Sequence, residues 1–205
     1  MAQEKRFPGF REKYYQDHSR KIVLGADGNP RVEYVYEGIY YTLDGSDGRW
    51  KRSKAAYPLL TAAGAVCLLS VMLTQTPGNY VKDIVLLQAV SMLLFFGAAI
   101  GVFNRITAPR HMTKWEYRMG VATIREFSLL LLISLAALMT DEVGSALAGR
   151  FAVDGTVILL WLKTALCFAL VLLQYRLLKK ETYLERISDD LPSGIDITND
   201  FEAMP

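Results

Sequence analysis

Side chains that commonly carry enzyme chemistry are scarce in this chain of 205 residues, which has two histidines and two cysteines. His18 and His111 lie far apart and form no ligand pair at a metal-binding spacing. Cys67 and Cys167 each lie in an apolar run, where a cysteine behaves as a small apolar residue, and no CxxC motif is present. The sequence also lacks a GxxxxGK[ST] phosphate loop, a GxSxG elbow and an HExxH motif. We therefore expect a protein that is not an enzyme and that binds neither a cofactor nor a metal ion.

Apolar residues, by contrast, make up 52% of the chain and are concentrated in four blocks. Residues 55–73 and 84–103 carry no charge, and each block is about 20 residues long, enough to cross a hydrocarbon core of about 30 Å. The third uncharged stretch, 127–140, has only about 14 residues, so it has to extend backward to residue 121 or forward past residue 140. The fourth block, 155–175, is interrupted by a single charge.

This pattern predicts an all-α polytopic membrane protein with four transmembrane helices. The transmembrane domain spans residues 55–176, and its helices are predicted over residues 55–74, 83–104, 121–142 and 156–176. It lies between an N-terminal region of residues 1–54 and a C-terminal region of residues 177–205.

Basic residues gather before helix one, between helices two and three, and after helix four. Two helices separate each of these places from the next, so all three lie on one side of the membrane. The basic residues are Arg49, Lys51, Arg52, Lys54, Arg105, Arg110, Lys114, Arg118, Arg125, Arg176, Lys179 and Lys180. The loops on the other side contain only Lys82 and Arg150, beside several acids. The positive-inside rule therefore predicts that both termini are cytoplasmic. The small size and this topology suggest a plasma membrane, specifically a bacterial inner membrane.

The two terminal regions are polar but differ in character. Residues 21–24 and 31–36 read as short strands around a turn-rich loop, with a third strand at 39–43, which predicts a small cytoplasmic region resembling a β-hairpin. This region would either cover the helix ends or bind a partner. Residues 177–186 predict an amphipathic extension of helix four, and an acidic tail follows it.

Lys163 is the most informative single residue, because it lies within the fourth apolar block. It would lie about 12 Å below one membrane face, at about 1.5 Å per helical residue. An unpaired charge at that depth costs several kcal/mol, so the ammonium needs a partner, water or a snorkelling route.

Two interpretations of Lys163 remain open. If helix three extends forward, Asp141 or Glu142 would lie level with Lys163 and would pair with it, and such pairs can bind anions, gate a pathway or relay protons. Alternatively, the lysine snorkels outward, or the pair serves only to fix the helix register. Gln88 in helix two is a further intramembrane polar candidate, available for a hydrogen bond between helices.

Two further patterns concern packing and the membrane surface. Gly97 and Gly101 form a GxxxG motif, which predicts close helix packing, either within the bundle or between subunits. The loop 105–125 alternates bases with apolar side chains and predicts an interfacial helix after Pro109. Its predicted contacts with lipid headgroups are Arg110, Lys114, Trp115 and Arg118. Anionic lipid is a simpler ligand for this loop than nucleic acid, for which we predict no role.

Two functional hypotheses follow. The first is a non-catalytic accessory or scaffold subunit of a membrane complex, which contacts a protein partner through its cytoplasmic ends. The second is a small oligomeric transporter or channel with a polar path at Lys163. Internal symmetry is not evident in the sequence, and four helices are few for a solitary carrier, which favours the accessory subunit.

Overall fold

The computed structural model describes residues 18–24 and 30–187 and is mostly helical. Four helices are long and apolar enough to span a membrane. They are α1 (Asp47–Leu73), α2 (Lys82–Thr107), α4 (Thr123–Leu147) and α5 (Gly155–Lys179). A short helix α3 (Lys114–Tyr117) and a π-helical turn (Arg118–Ala122) lead directly into α4.

The outer faces of these four helices are apolar. Large side chains on them stay exposed, among them Leu59, Val66, Leu86, Leu93, Phe96, Phe103, Leu130, Ile133, Leu162 and Leu166. A helix that is apolar both toward the core and toward its surroundings is typical of a membrane span rather than of a bundle in water. The four apolar helices therefore indicate a membrane protein.

The helices form a ring in which α1 packs on α2 and α5, and α4 packs on α2 and α5. The centre of this ring is filled by buried apolar residues, including Leu68, Leu131, Leu135, Leu138 and Cys167. Ser91 and Ser134 add a hydrogen bond of 2.9 Å between α2 and α4. Small polar side chains can pair in this way inside a membrane bundle because no water competes for them.

Helix α4 runs from Thr123 to Leu147, so the third apolar block extends in both directions from residues 127–140, including forward past Asp141 and Glu142. The end has a local cause in Gly149, whose φ of +71° is a left-handed conformation that glycine adopts at low cost. Its backbone N–H donates to the Ala146 carbonyl. The predicted end at residue 142 was therefore one turn and a half too early.

A three-stranded antiparallel sheet covers one end of the bundle. Strand β3 (Ile39–Leu43) lies in the middle, between β4 (His111–Thr113) and β5 (Tyr183–Ile187). Tyr41 of β3 lies opposite Met112 on one side and Glu185 on the other. Three distant segments of the chain thus meet at this end, which we call the sheet end. The opposite end, with the 3₁₀ turn Pro77–Tyr80 and the α4–α5 connection, is called the far end.

This sheet corrects two predictions. Residues 177–186 do not continue helix four as an amphipathic extension, because α5 ends at Lys179 and β5 begins at Tyr183. The helix predicted after Pro109 begins only at Lys114 and leads into α4, since His111–Thr113 is a strand. In both segments, hydrogen bonds to β3 satisfy the backbone, and this pairing outweighs the local preference for a helix. A prediction from neighbouring residues alone cannot include a strand that lies far away in the chain.

The N-terminal strands β1 (His18–Leu24) and β2 (Pro30–Tyr36) pair with each other in an antiparallel register, with Ile22 opposite Val32. β3 belongs to the other sheet, so the three N-terminal strands do not form one sheet. The acidic tail from residue 188 onward lies outside the described residues.

Candidate functional site: two polar clusters in the bundle

Lys163 extends from α5 toward the end of α1. Its Nζ donates a 2.8 Å hydrogen bond to Thr74 Oγ1, and Thr74 is the residue that directly follows α1. The lysine is partly exposed and lines an open groove of about 590 Å³ between the two helices, together with Leu73 and Ser70. The side chain thus runs outward toward the far end, as a snorkelling lysine does.

Thr74 links Lys163 to a second predicted residue. The Thr74 carbonyl accepts a hydrogen bond from Asn79 Nδ2, and Asn79 Oδ1 accepts one of 2.8 Å from Gln88 Nε2. Gln88 is buried in α2. Lys163 and Gln88 therefore belong to one hydrogen-bonded group at the far end, and the intermediate residues that connect them lie in the α1–α2 connection.

The two predicted acids lie elsewhere. Glu142 is fully buried in α4, and within the described chain neither of its carboxylate oxygens has a hydrogen-bond partner. Asp141 Oδ2 is also buried and has no hydrogen-bond partner within the described chain. No ion pair joins Lys163 to either acid among residues 18–24 and 30–187. Extension of α4 was a necessary condition for that pair but not a sufficient one, because Lys163 turns toward α1 and away from α4.

The GxxxG glycines pack inside the bundle. A Cβ atom on Gly97 would lie 2.2 Å from the Phe127 ring, and one on Gly101 would lie 2.9 Å from the backbone nitrogen of Ile124. Both contacts are with α4. The small residues therefore allow α2 and α4 to approach closely, which is the usual role of this motif.

The predicted headgroup residues lie together at the sheet end. Lys114, Trp115 and Arg118 have exposed side chains. Arg110 instead donates a 2.9 Å hydrogen bond from Nη2 to the Gly45 carbonyl, so it also holds the segment before α1 in place. Contact of these side chains with lipid stays a prediction.

One fully buried charge that the sequence did not indicate is Arg105, near the end of α2. Its side chain has no exposed surface, and its guanidinium carbon lies 4.0 Å from the centre of the Trp50 ring. Nη2 lies 3.7 Å from Glu181 Oε2 and 3.5 Å from Ser53 Oγ. Nε and Nη1 have no hydrogen-bond partner in the described part of the chain. Stacking of the guanidinium on the Trp50 ring compensates part of the hydration that these groups lose on burial.

Glu181 collects donors from three elements. Besides Arg105 of α2, it accepts hydrogen bonds from Ser53 Oγ of α1 and from Tyr183 Oη of β5, the latter at 2.5 Å. Burial raises the pKa of Tyr183 above its usual value, the cation of Arg105 acts against that rise, and the carboxylate of Glu181 adds to it. Tyr183 is therefore a neutral donor. We call Arg105, Glu181, Trp50, Ser53 and Tyr183 the Arg105 cluster.

Comparison of the chain with protein-family models, with curated proteins and with solved structures found no match.

Local geometry explains how Arg105 is held. The π-helical turn passes so close that a Cβ on Gly120 would lie 3.3 Å from the Arg105 backbone, and Asn104 Nδ2 donates to the Met119 carbonyl at 3.3 Å. No sequence signal identifies this site. In the sequence, Arg105 resembles the other bases that flank the apolar blocks, and Glu181 is 76 positions away (181 − 105). Their pairing follows from the ring arrangement of the helices and from the end of α5.

The chemistry that these clusters support is structural and electrostatic. The Arg105 cluster joins α1, α2 and β5, because its side chains contact one another. The far-end group connects α5, α2 and the α1–α2 connection through one hydrogen bond from the Lys163 ammonium and the amide hydrogen bonds of Asn79 and Gln88. Within residues 18–24 and 30–187, no group of three or more His, Cys, Asp or Glu side chains is placed to hold a metal ion.

Proposed function

We propose that this protein is a non-catalytic accessory or scaffold subunit of a membrane complex, with both termini in the cytoplasm of a bacterial inner membrane. The orientation rests on the basic residues, which concentrate at the sheet end, whereas the far end has Arg150 in an exposed ion pair with Asp83. In this orientation the sheet is cytoplasmic and faces partners there.

The main observation in favour is that three distant segments form one sheet, which the buried Arg105–Glu181 pair fastens to the bundle. Between this end and the far-end polar group, the interior is mostly apolar, with residues such as Leu68, Leu131 and Leu135 beside the Ser91–Ser134 pair. A fixed intracellular surface above a mostly apolar core suits a subunit that binds a partner better than one that conducts a solute.

The β1–β2 pair is the most suitable contact region. A single two-stranded hairpin is at best marginally stable in water, so it gains from a surface to pack against. Ile22 of β1 is 74% exposed, which leaves an apolar side chain available for a partner. We expect the partner to be a different protein, whereas a second copy of this chain as the partner would fit an oligomeric transporter or channel.

The test is mass spectrometry of what co-purifies with the tagged protein from its native membrane in a mild detergent. A deletion of residues 1–37 removes β1 and β2 but leaves β3, and a deletion of residues 189–205 leaves β5. Lys163→Met is the matched control because Lys163 lies outside the sheet end. A stoichiometric protein lost with either deletion but retained by the control supports the proposal. Recovery of the chain alone, or only as a homo-oligomer, would contradict it.

One observation favours the second candidate, a small oligomeric transporter or channel. Glu142 is fully buried, and a carboxylate there without a partner is costly unless it binds a proton or a cation. Flux of protons or monovalent cations in reconstituted liposomes tests this function. Glu142→Gln should abolish the flux, whereas Asp83→Asn, which changes an exposed far-end acid, should not. Absence of flux in the unaltered protein would contradict this candidate.

A further inference from the structure

A cavity of about 650 Å³ lies at the sheet end, between the start of α1 and the last turn of α5. Three basic side chains line it: Arg49 and Arg52 of α1, and Lys180, which directly follows α5. Arg49 is held in position by a 3.2 Å hydrogen bond from Nη1 to the Asp44 carbonyl. The cavity is thus bordered by cations, and one of them has a fixed position.

The start of α1 adds further positive potential. Ser46 precedes the helix and lines the cavity, but its side chain makes no capping hydrogen bond. The unsatisfied N–H groups and the dipole of a helix N-terminus attract anions. Among the described side chains, the carboxylate that lines the cavity is Glu181, and it is engaged by Arg105, Ser53 and Tyr183.

A buried hydroxyl gives an independent indication of a ligand. Tyr57 lines the cavity with only 1% of its surface exposed. Its hydroxyl lies near Glu181 and Ser53 but makes no hydrogen bond of normal geometry with any residue in the described ranges. Buried hydroxyls are normally satisfied, so an oxygen acceptor in the cavity would complete this one.

We infer that this cavity binds the phosphate group of an anionic ligand. Arg49, Arg52 and Lys180 supply charge, the α1 N-terminus and Ser46 supply neutral donors, and Tyr57 closes the inner wall. Ala56 and Leu177 form an apolar portion of the wall, which fits the glycerol and first acyl carbons of a phospholipid. A free phosphate ester shares the same headgroup chemistry. This site is separate from the Arg110–Arg118 region and does not depend on the proposed scaffold function.

The experiment measures binding of phosphatidylglycerol to the full chain in non-ionic detergent by native mass spectrometry, with phosphatidylcholine as the zwitterionic comparison. The variant Arg52→Gln with Lys180→Gln removes two cavity charges. The control Lys51→Gln with Lys179→Gln removes the same charge from exposed neighbours that do not line the cavity. Ala56→Trp fills the cavity and leaves every charge in place. Circular dichroism checks that each variant is folded.

Phosphatidylglycerol should bind at least about fivefold better than phosphatidylcholine, and the cavity double variant should weaken it about tenfold. Ala56→Trp should weaken it similarly, and the control double variant should stay within about twofold. Competition by inorganic phosphate would identify a free phosphate ligand, whereas its failure would identify the lipid. Equal losses in the two double variants, no effect of Ala56→Trp, or no preference for phosphatidylglycerol would each overturn the inference.

Discussion

The two cations inside the apolar bundle, Arg105 and Lys163, are held in opposite ways. Arg105 at the sheet end has no exposed surface, a carboxylate partner and an aromatic ring to stack on. Lys163 nearer the far end is partly exposed and bonds to one hydroxyl. A guanidinium suits fixed partners and flat rings, whereas an ammonium on a flexible stem reaches the surface. The position of a charge within an apolar run therefore does not predict whether its side chain is buried and paired in the fold.

We expect the largest effect on stability for Arg105→Met. Loss of the guanidinium leaves Glu181 largely buried and short of its cation, so we expect a loss of about 3–5 kcal/mol in the free energy of unfolding. The measurement is denaturant or thermal unfolding in detergent. Arg125→Met removes an exposed base from the start of α4 and should change stability by less than about 0.5 kcal/mol.

A second variant sharpens that result. Arg105→Met combined with Glu181→Met removes both charges and should recover part of the lost stability, because an apolar pair can replace a buried ion pair. If Arg105→Met alone behaved like the Arg125 control, Arg105 would not be a buried structural charge.

Glycine packing gives the next largest effect and again differs between the two ends. Gly101→Ala near the sheet end brings a Cβ within 2.9 Å of the Ile124 backbone, so α2 and α4 have to separate, at a cost of about 1–3 kcal/mol. Gly144→Ala near the far end meets no atom within 4 Å and should leave stability unchanged or slightly raised. Thermal unfolding midpoints of the two variants measure the difference. Equal midpoints would show that α2 and α4 are not in close contact at Gly101.

Lys163→Met should have a smaller effect on stability. The variant loses one hydrogen bond to Thr74 Oγ1, which still donates to the Ser70 carbonyl at 2.6 Å, and it gains an apolar side chain. We expect a change within about 1 kcal/mol in the free energy of unfolding. A loss as large as that of Arg105→Met would contradict the comparison and indicate that Lys163 has an acidic partner.

The smallest effect should be the pH dependence from His111 at the sheet end. Burial lowers its pKa below the usual value, and the cations Arg110 and Arg186 lower it further. The unfolded chain therefore binds the proton more readily, so stability is full above about pH 6.5 and falls as the pH drops below it. Unfolding midpoints at pH 7.5 and pH 5 should differ less in His111→Gln than in the unaltered chain. Identical differences in both proteins would exclude this contribution.

Some features of the candidate sites were predictable and others were not. Gly97 and Gly101 were expected to mediate close packing, and they contact α4. Gln88 was expected to hydrogen-bond to another transmembrane helix, and it bonds instead to Asn79 in the α1–α2 connection. Asn79 itself gave no sequence signal, because it lies in a short connection. The Arg105 cluster was not predictable, since its charges come from segments that only the completed ring of helices brings together.

Apolar runs close to the length of a bilayer core already specify four helices that are long and apolar enough to span a membrane, because such runs have few other stable arrangements. Where the charges lie and which short segments become strands depend instead on how these helices pack. Residues 183–187 form a strand because β3 is beside them, and Arg105 is buried because Trp50 and Glu181 surround it. Such contacts depend on partners far away in the chain, and no local pattern records them.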